Sequence, residues 1–225
     1  MKTFVYGDSF SNYEICRCPQ DQMWYSRFVK GELVDRTRAG ASTQEMFLLA
    51  NTDAVSNTNC RFIFGTGVLY SRLPIYSDGV YTDEKIGAAH SLEDCLPYIE
   101  TQKFEPRFSV AMFHHTMIWA TFYTQVAAMA ALLQSHDHQW LLTHMSTPKD
   151  EHFNPKHPLI KHSHQHVNAM KNYVNHANSC QQVCMEWGIR PLDWQTYGRH
   201  GHHTVEGQQF FGKWIKRITD HRGIL

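Results

Sequence analysis

The chain opens with the run TFVYGDSFS at residues 3–11, and this stretch decides how the rest of the sequence is interpreted. Residues 3–6 form a short apolar run of the kind that becomes a buried β-strand. The run ends at once in Gly7-Asp8-Ser9, and a glycine permits the tight turn that follows a strand. A serine on such a turn is held with its hydroxyl pointing outward, which is where an activated nucleophile is built. The same residues also form ordinary turns, so the motif by itself leaves both interpretations open.

The composition is that of one α/β domain. The 225 residues suffice for a sizeable core, and the sequence contains neither an internal repeat nor a linker, so we interpret residues 1–225 as a single domain. Lysine plus arginine and aspartate plus glutamate both number 21. Because the chain has no net charge, we expect neither nucleic acid nor a membrane as a partner.

The sequence also predicts a chain without membrane spans or a secretion signal. The most apolar stretch, residues 110–133, contains His114 and His115, which are costly in lipid, so a core helix is the better interpretation. The apolar run at the N-terminus is too short for a signal peptide. The six cysteines have neither a CxxC pair nor a zinc-ribbon spacing, so we expect reduced thiols and a cytoplasmic protein.

Strand-type and helix-type segments alternate along the chain, which predicts a parallel sheet with helices on both faces. We expect about five strands, at residues 3–6, 33–36, 61–64, 139–143 and 182–185. The main helices are predicted after Ser42, which has capping-box spacing with Glu45, and at 109–134, 165–178 and 206–218. Between them lie an irregular insertion at about 70–105 and a histidine-rich loop at about 149–164.

A second polar motif, RHGHHTVEG at residues 199–207, lies just before the last predicted helix. A serine nucleophile needs a base, and a neutral imidazole has a pKa suited to that role near pH 7. A histidine here can reach across the crevice at the carboxyl ends of the strands. In a chain with 16 histidines, helix-capping or solvated histidines are the alternative interpretation.

The two motifs form one ordered pattern with Gly40, after the second strand, and Gly65, in the turn after the third. This pattern resembles the GDSL/SGNH hydrolases, a family of esterases, lipases and carbohydrate deacetylases. The resemblance covers nearly the whole chain in topology, whereas close motif identity is confined to these blocks. It implies a three-layer, flavodoxin-like α/β fold and an ester hydrolase that needs no cofactor.

The resemblance also implies roles for individual residues. Ser9 corresponds to the nucleophile, and the backbone amides of Ser9 and Gly40 correspond to oxyanion donors. The catalytic histidine of the family stands five residues before a glycine, which here selects His202 and Gly207. His203 then stands where the family commonly has proline, and His200 is the third choice.

Two positions depart from the family pattern. Gly67 stands where the family has an asparagine that donates to the oxyanion, so we expect a substitute: a backbone amide of this turn such as that of Gly67, a side chain of residues 70–72, or His114. Arg199 stands where the family has the aspartate that orients the histidine, and a guanidinium cannot accept a hydrogen bond. Asp193 or a main-chain carbonyl would then orient the ring, or the site is a Ser-His dyad.

The sequence therefore predicts a serine esterase that acts on a small-molecule or carbohydrate ester, with an O-acetyl group on a sugar as the first expectation. The insertion at 70–105 and the loop at 149–164 are expected to set specificity. Aromatic side chains that could stack on sugars, beside their more common role in the core, are Tyr70, Tyr76, Tyr81 and Trp119. The sequence makes no prediction about oligomeric state.

Two other functions stay open at this stage. The first is a protein of the same fold that binds without catalysis, to which the missing asparagine and aspartate point. The second is a metal-binding protein that uses the histidines at 136 and 138 or those at 162, 164 and 166. Neither run has the spacing of a known metal site, so no metal is expected.

Overall fold

The structure is a computed structural model that describes residues 1–39, 41–67, 74–77, 80–85, 115–146, 154–197 and 201–225. The strands are β1 (Lys2–Gly7), β2 (Glu32–Thr37), β3 (Arg61–Thr66), β4 (Pro74–Ser77), β5 (Val80–Lys85) and β6 (Gln139–His144). The α-helices are α1 (Thr43–Val55), α2 (His115–Ser135), α3 (Pro158–Ala169), α4 (Cys180–Glu186), α5 (Trp194–Tyr197) and α6 (Val205–Arg222). Short 3-10 helices lie at Gln20–Gln22, Trp24–Phe28 and His176–Asn178.

The central sheet has four parallel strands in the order β2-β1-β3-β6. The chain runs from β1 to β2 on one side and then returns to β3 on the other. Ligands of open parallel sheets bind at such a reversal, beyond the carboxyl ends of the strands. The crevice beyond β1 and β3 is therefore the place where the sheet positions a site. Strands β4 and β5 form a separate antiparallel hairpin within the predicted insertion.

Side chains of successive strand residues enter two different cores, which makes the domain three-layered. Phe4 and Tyr6 pack with Phe62 on the side of α1 and α2. Val5 and Ile63 pack on the opposite side, against the 3-10 segment at Trp24–Phe28 and against α4 and α6. The predicted three-layer α/β architecture with helices on both faces is confirmed.

The predicted fifth strand at residues 182–185 is wrong, because this segment lies in helix α4. Ser179 caps that helix by accepting a hydrogen bond from the Gln182 amide at 3.2 Å. Cys180, Val183 and Cys184 are all buried, and their spacing is that of one helix face. A short apolar run does not by itself distinguish a strand from a buried helix. In the described part of the chain, β6 is flanked on its outer side by a single parallel bridge from Leu142 to Tyr173.

The predicted helix at 165–178 differs in its limits from the observed helix α3, which begins at Pro158 and ends at Ala169. Because α3 begins at Pro158, residues 158–164 of the predicted histidine-rich loop are helical. Proline at the first helical position and a His157 ring that accepts from the Leu159 amide explain this early start. The cap on α1 is as predicted, since Ser42 Oγ accepts from the Glu45 amide at 3.1 Å.

The predictions of a chain without membrane-spanning helices and with reduced thiols can be compared with the described residues. No helix there combines the length and the apolar character that a membrane crossing needs. The five cysteines described are buried free thiols, at positions 16, 18, 60, 180 and 184. Within the insertion, the sequence also predicts a short helix near 91–99, and these residues lie outside the described ranges.

Candidate active site

The turn after β1 is fastened to the sheet by the side chain of Ser11. Gly7 and Gly65 are neighbours across β1 and β3, and a Cβ on either would collide with that side chain. Trp24 Nε1 donates to Ser11 Oγ at 3.2 Å. The two glycines therefore make room for a buried serine that holds the turn at the carboxyl ends of both strands.

Asp8 fixes the conformation of the same turn. Its Oδ1 accepts from the Phe10 amide and its carbonyl oxygen accepts from the Ser11 amide, both at 3.0 Å. This is the local pattern by which aspartate stabilises a turn. Ser9 is half-buried on this turn, and its hydroxyl makes no hydrogen bond to any residue that the structure describes. The backbone around Ser9 is thus fixed, whereas the hydroxyl is available.

His202 is held by Asp193 through both its ring and its backbone. Asp193 Oδ2 accepts from ring Nδ1 at 2.9 Å, and Oδ1 accepts from the His202 amide at 2.6 Å. A Cβ on Gly201 would collide with Asp193 Oδ1, so the glycine admits the carboxylate. With Nδ1 donating to the carboxylate, Nε2 keeps the lone pair that a general base needs.

The environment of Asp193 favours its ionised form. Burial by itself raises the pKa of this carboxyl, but the hydrogen bonds and charge of His202 outweigh burial and hold the pKa below its usual value. Asp193 stands nine residues before His202 in the chain, not three. The two meet because the segment folds back, with the Leu192 amide donating to the His202 carbonyl at 2.6 Å.

The loop before α6 contacts the turn that carries Ser9 through Phe10. The centroid of the Phe10 ring lies 5.2 Å from that of His202, and Phe10 directly follows Ser9. The next histidine, His203, is buried and donates through Nε2 to the Met145 carbonyl at 3.0 Å. Burial lowers the pKa of His203 to about 4, so it is neutral at pH 7. His203 anchors the loop to the end of β6, and His202 is the histidine whose ring contacts Phe10 most closely.

Gly67, at the end of β3, lies against the carboxylate of Asp8. A Cβ on residue 67 would collide with Asp8 Oδ2. The volume that an asparagine side chain would need here is therefore occupied by Asp8. Any oxyanion donor from position 67 is its backbone amide.

Several predicted site residues lie outside the described ranges: Gly40, residues 70–72, His114, Arg199 and His200. The residues that flank Gly40 are described, and the Arg38 amide donates to the Gly7 carbonyl at 2.9 Å. The turn after β2 thus approaches the end of β1. Trp119 is 1% exposed and stacks on Tyr123, so it is a core residue and cannot stack on a sugar.

Within the described ranges, one group of side chains has the composition of a metal site: Cys180, Cys184 and His203, whose ligand atoms lie within 4.8 Å of one another. A structural zinc site normally needs four ligands. Each member also has a partner already, as His203 bonds to Met145 and the two sulfurs lie 3.9 Å apart. Burial raises the pKa of the Cys180 thiol well above its usual value, which disfavours a thiolate ligand. We interpret the group as buried thiols.

The two histidine runs that suggested metal binding lie in different surroundings. His138 is buried, accepts from the Cys60 amide through Nδ1 and donates through Nε2 to the Ala54 carbonyl. His162, His164 and His166 lie on helix α3, where His162 and His166, four residues apart, share a face that His164 does not share. Neither run forms a group of metal ligands among the described residues.

Sequence reasoning missed the residues that fasten the site together. Ser11 and Gly201 stand inside the quoted motifs, but their roles depend on neighbours distant in sequence. Gln208 of α6 is fully buried and bonds to the turn around Phe10, and no local pattern marks it. The one available signal was that these residues lie within or next to the two motifs that contain Ser9 and His202.

No protein-family model and no curated protein matches the sequence. Solved structures do match. A protein assigned to the lipolytic G-D-S-L family from Desulfitobacterium hafniense DCB-2 is 13% identical, with a TM-score of 0.52 over 96% of this chain and 98% of that chain. A protein assigned as a GDSL-like lipase from Parabacteroides merdae ATCC 43184 is 9% identical, with a TM-score of 0.51 over 97% of this chain and 95% of that one. The chain therefore has the three-layer α/β fold of the GDSL/SGNH hydrolases.

Proposed function

We propose that this protein is a serine esterase of SGNH type, in which Ser9 is the nucleophile, His202 the general base and Asp193 the triad acid. The observation that carries the proposal is the Asp193–His202 pair, with 2.9 Å between carboxylate and imidazole. The ring of this pair contacts Phe10, the residue that follows Ser9. Acyl transfer requires a carboxylate that orients an imidazole towards a serine hydroxyl, and the first half of that arrangement is the Asp193–His202 pair.

The reaction follows from these positions. His202 Nε2 takes the proton of the Ser9 hydroxyl while Oγ attacks the ester carbonyl carbon. The backbone amides of Ser9, Gly40 and Gly67 are proposed to bind the developing oxyanion. Collapse of the tetrahedral species breaks the ester bond, and His202 returns the proton to the departing alcohol. Water, deprotonated by the same ring, then releases the carboxylic acid and restores Ser9.

Asp193 contributes by fixing the ring rather than by moving a proton. Its ionised carboxylate keeps Nδ1 protonated and stabilises the imidazolium that forms during attack. The lowered pKa of Asp193 keeps it ionised at neutral pH. The carboxylate also bonds to the His202 amide, so backbone and ring are held together.

Hydrolysis of p-nitrophenyl acetate by purified protein tests the proposal. We expect turnover by the wild type, loss of turnover in Ser9→Ala and His202→Ala, and wild-type turnover in Ser56→Ala, an exposed serine at the end of α1. Ser9→Ala with wild-type turnover would show that another group is the nucleophile.

For the substrate, a small acyl group on a carbohydrate is the proposal that the family resemblance favours. A panel of acetyl, butyryl and longer p-nitrophenyl esters, together with an O-acetylated sugar, measures this preference. The highest kcat/KM for acetyl esters and release of acetate from the sugar support it. A preference for long acyl chains contradicts it.

A second candidate, a binding protein of this fold without catalysis, is favoured by one observation. The volume of the missing asparagine is filled by the Asp8 carboxylate, which is an acceptor of hydrogen bonds when ionised. The absence of one oxyanion donor costs about 2.7–4 kcal/mol of transition-state stabilisation in a serine protease. Folded wild-type protein without turnover of any ester in the panel would favour this candidate.

A further inference from the structure

Gln208 connects the helix that follows His202 to the turn that carries Ser9. It lies in the first turns of α6 and is fully buried. Its Nε2 donates to the Phe10 carbonyl at 2.9 Å, and its Oε1 accepts from the Trp24 amide at 3.4 Å. Both ends of the side-chain amide are thus used: one bond goes to the turn that carries Ser9, and the other goes to the 3-10 segment at Trp24–Phe28.

The bond to Phe10 is the one described polar contact made by an α6 side chain to the residues beside Ser9. The Phe10 ring also contacts the rings of His202 and His203, with centroid distances of 5.2 Å and 5.9 Å. Ring contacts of this kind are compatible with small sliding motions, whereas a hydrogen bond to a buried carbonyl fixes distance and direction. Cys16 adds to the same arrangement, since Gln208 Nε2 lies 3.4 Å from its sulfur.

Trp24 completes the connection. Its backbone amide donates to Gln208, and its indole Nε1 donates to Ser11 Oγ, which packs against Gly7 and Gly65. The side chain of Gln208 is therefore bonded on one side to the residue after Ser9 and on the other to the residue that fastens the turn to the sheet.

We propose that Gln208 is a positioning residue that sets the approach of His202 to Ser9. The inference rests on the proposed function and deepens it. Gln208 does not touch the reacting atoms and acts through the Phe10 carbonyl. A misplacement of about 1 Å between reacting groups costs on the order of 10²-fold in rate, so loss of this bond lowers kcat more than it weakens substrate binding.

The chain offers a matched control in the next residue. Gln209 also lies in α6, and its Nε2 donates to the Gln22 side chain at 3.0 Å, away from Phe10. Gln208→Met and Gln209→Met remove one amide each, at nearly constant volume and from the same helix. A general weakening of the contact between α6 and residues 20–28 affects both variants, whereas positioning of Ser9 affects only the first.

The experiment measures kcat and KM for p-nitrophenyl acetate and the free energy of unfolding of each variant. We expect Gln208→Met to lower kcat by about tenfold or more with KM changed by less than about twofold, and Gln209→Met to keep wild-type kcat. If Gln208→Met does not fold, Gln208→Asn, which keeps the amide but shortens its reach, is measured in its place with the same expectation.

Two outcomes overturn the inference and are distinguishable. An active wild type in which folded Gln208→Met keeps its kcat, or in which Gln209→Met loses as much, shows that Gln208 has only a structural role. A folded wild type without any turnover overturns the proposed function and the inference with it.

Discussion

The carboxylate of Asp8 occupies the space that a side chain at position 67 would need. These two residues follow neighbouring strands, β1 and β3, and meet at their carboxyl ends. The glycine at position 67, where the family pattern has asparagine, therefore goes together with the position of the Asp8 carboxylate. A single substitution to asparagine at 67 therefore requires the Asp8 carboxylate to move.

We expect Gly67→Asn to lower the free energy of unfolding by about 1–3 kcal/mol, because it overpacks a buried contact. Urea denaturation measures this loss. In Asp8→Ala/Gly67→Asn the clash is removed, so the double variant should lose less stability than the sum of the two single variants. Additive losses would show that Asp8 and residue 67 do not compete for space.

Asp193→Asn should lower kcat, and it should reduce the loss of unfolding free energy that the wild type shows in acid. The pKa of Asp193 is lowered in the folded protein, so its stabilisation is present above 3.8, the ordinary value, and is lost as the pH falls through the lowered value. We therefore expect Asp193→Asn to be less stable than the wild type at pH 7, with the difference shrinking below pH 3.8. Its kcat should fall by about 10²- to 10⁴-fold, because the amide favours the wrong tautomer of His202. The measurements are urea unfolding curves of both proteins from pH 7 to below pH 3.8, and kcat at pH 7. A stability difference that stays constant over this pH range would contradict the lowered pKa of Asp193.

His203 should make the protein less stable as the medium becomes mildly acidic. Its pKa falls from 6.5 to about 4 on burial, so the unfolded chain binds a proton more readily between these values. The free energy of unfolding therefore decreases from pH 6.5 towards pH 4, by up to about 3 kcal/mol from this residue. His203→Gln, which keeps a donor for Met145, should flatten this dependence. His221→Gln, at an exposed histidine, should retain it; equal profiles for the two variants contradict the prediction.

The group of Cys180, Cys184 and His203 predicts a result for metal analysis. Since three satisfied side chains do not form a complete zinc site, we expect well under one equivalent of zinc in protein purified without chelator. We also expect esterase turnover to be unaffected by EDTA. One equivalent of zinc that Cys184→Ser removes would contradict this interpretation.

Local sequence patterns were sufficient to predict the elements that are marked by an apolar run, a capping residue or an amphipathic repeat. The first strand, the capped helix after Ser42 and the last helix were predicted close to their observed limits. The strand predicted at 182–185 failed because four apolar-rich residues suit a strand and a buried helix equally. The Ser179 cap was the local signal that distinguishes them.

The candidate site shows the same division. Ser9 and His202 stand in short motifs that a reader can find in the sequence. Asp193 was only one of several alternatives, because its contact with His202 depends on the chain folding back over nine residues. Gln208 was not found, since its partner Phe10 lies 198 residues away and a glutamine on a helix carries no local mark of burial. Contacts of this range follow from the tertiary fold rather than from spacing.

The measurement that tests the central claim most directly is labelling of folded protein with a fluorophosphonate probe, followed by mass spectrometry of the modified peptide. The probe reacts covalently with an activated serine, so it reports the nucleophile without depending on the choice of substrate. We predict a single adduct on Ser9 that is absent in Ser9→Ala and strongly reduced in His202→Ala. No adduct on folded wild-type protein, or an adduct that persists in Ser9→Ala, would contradict the account.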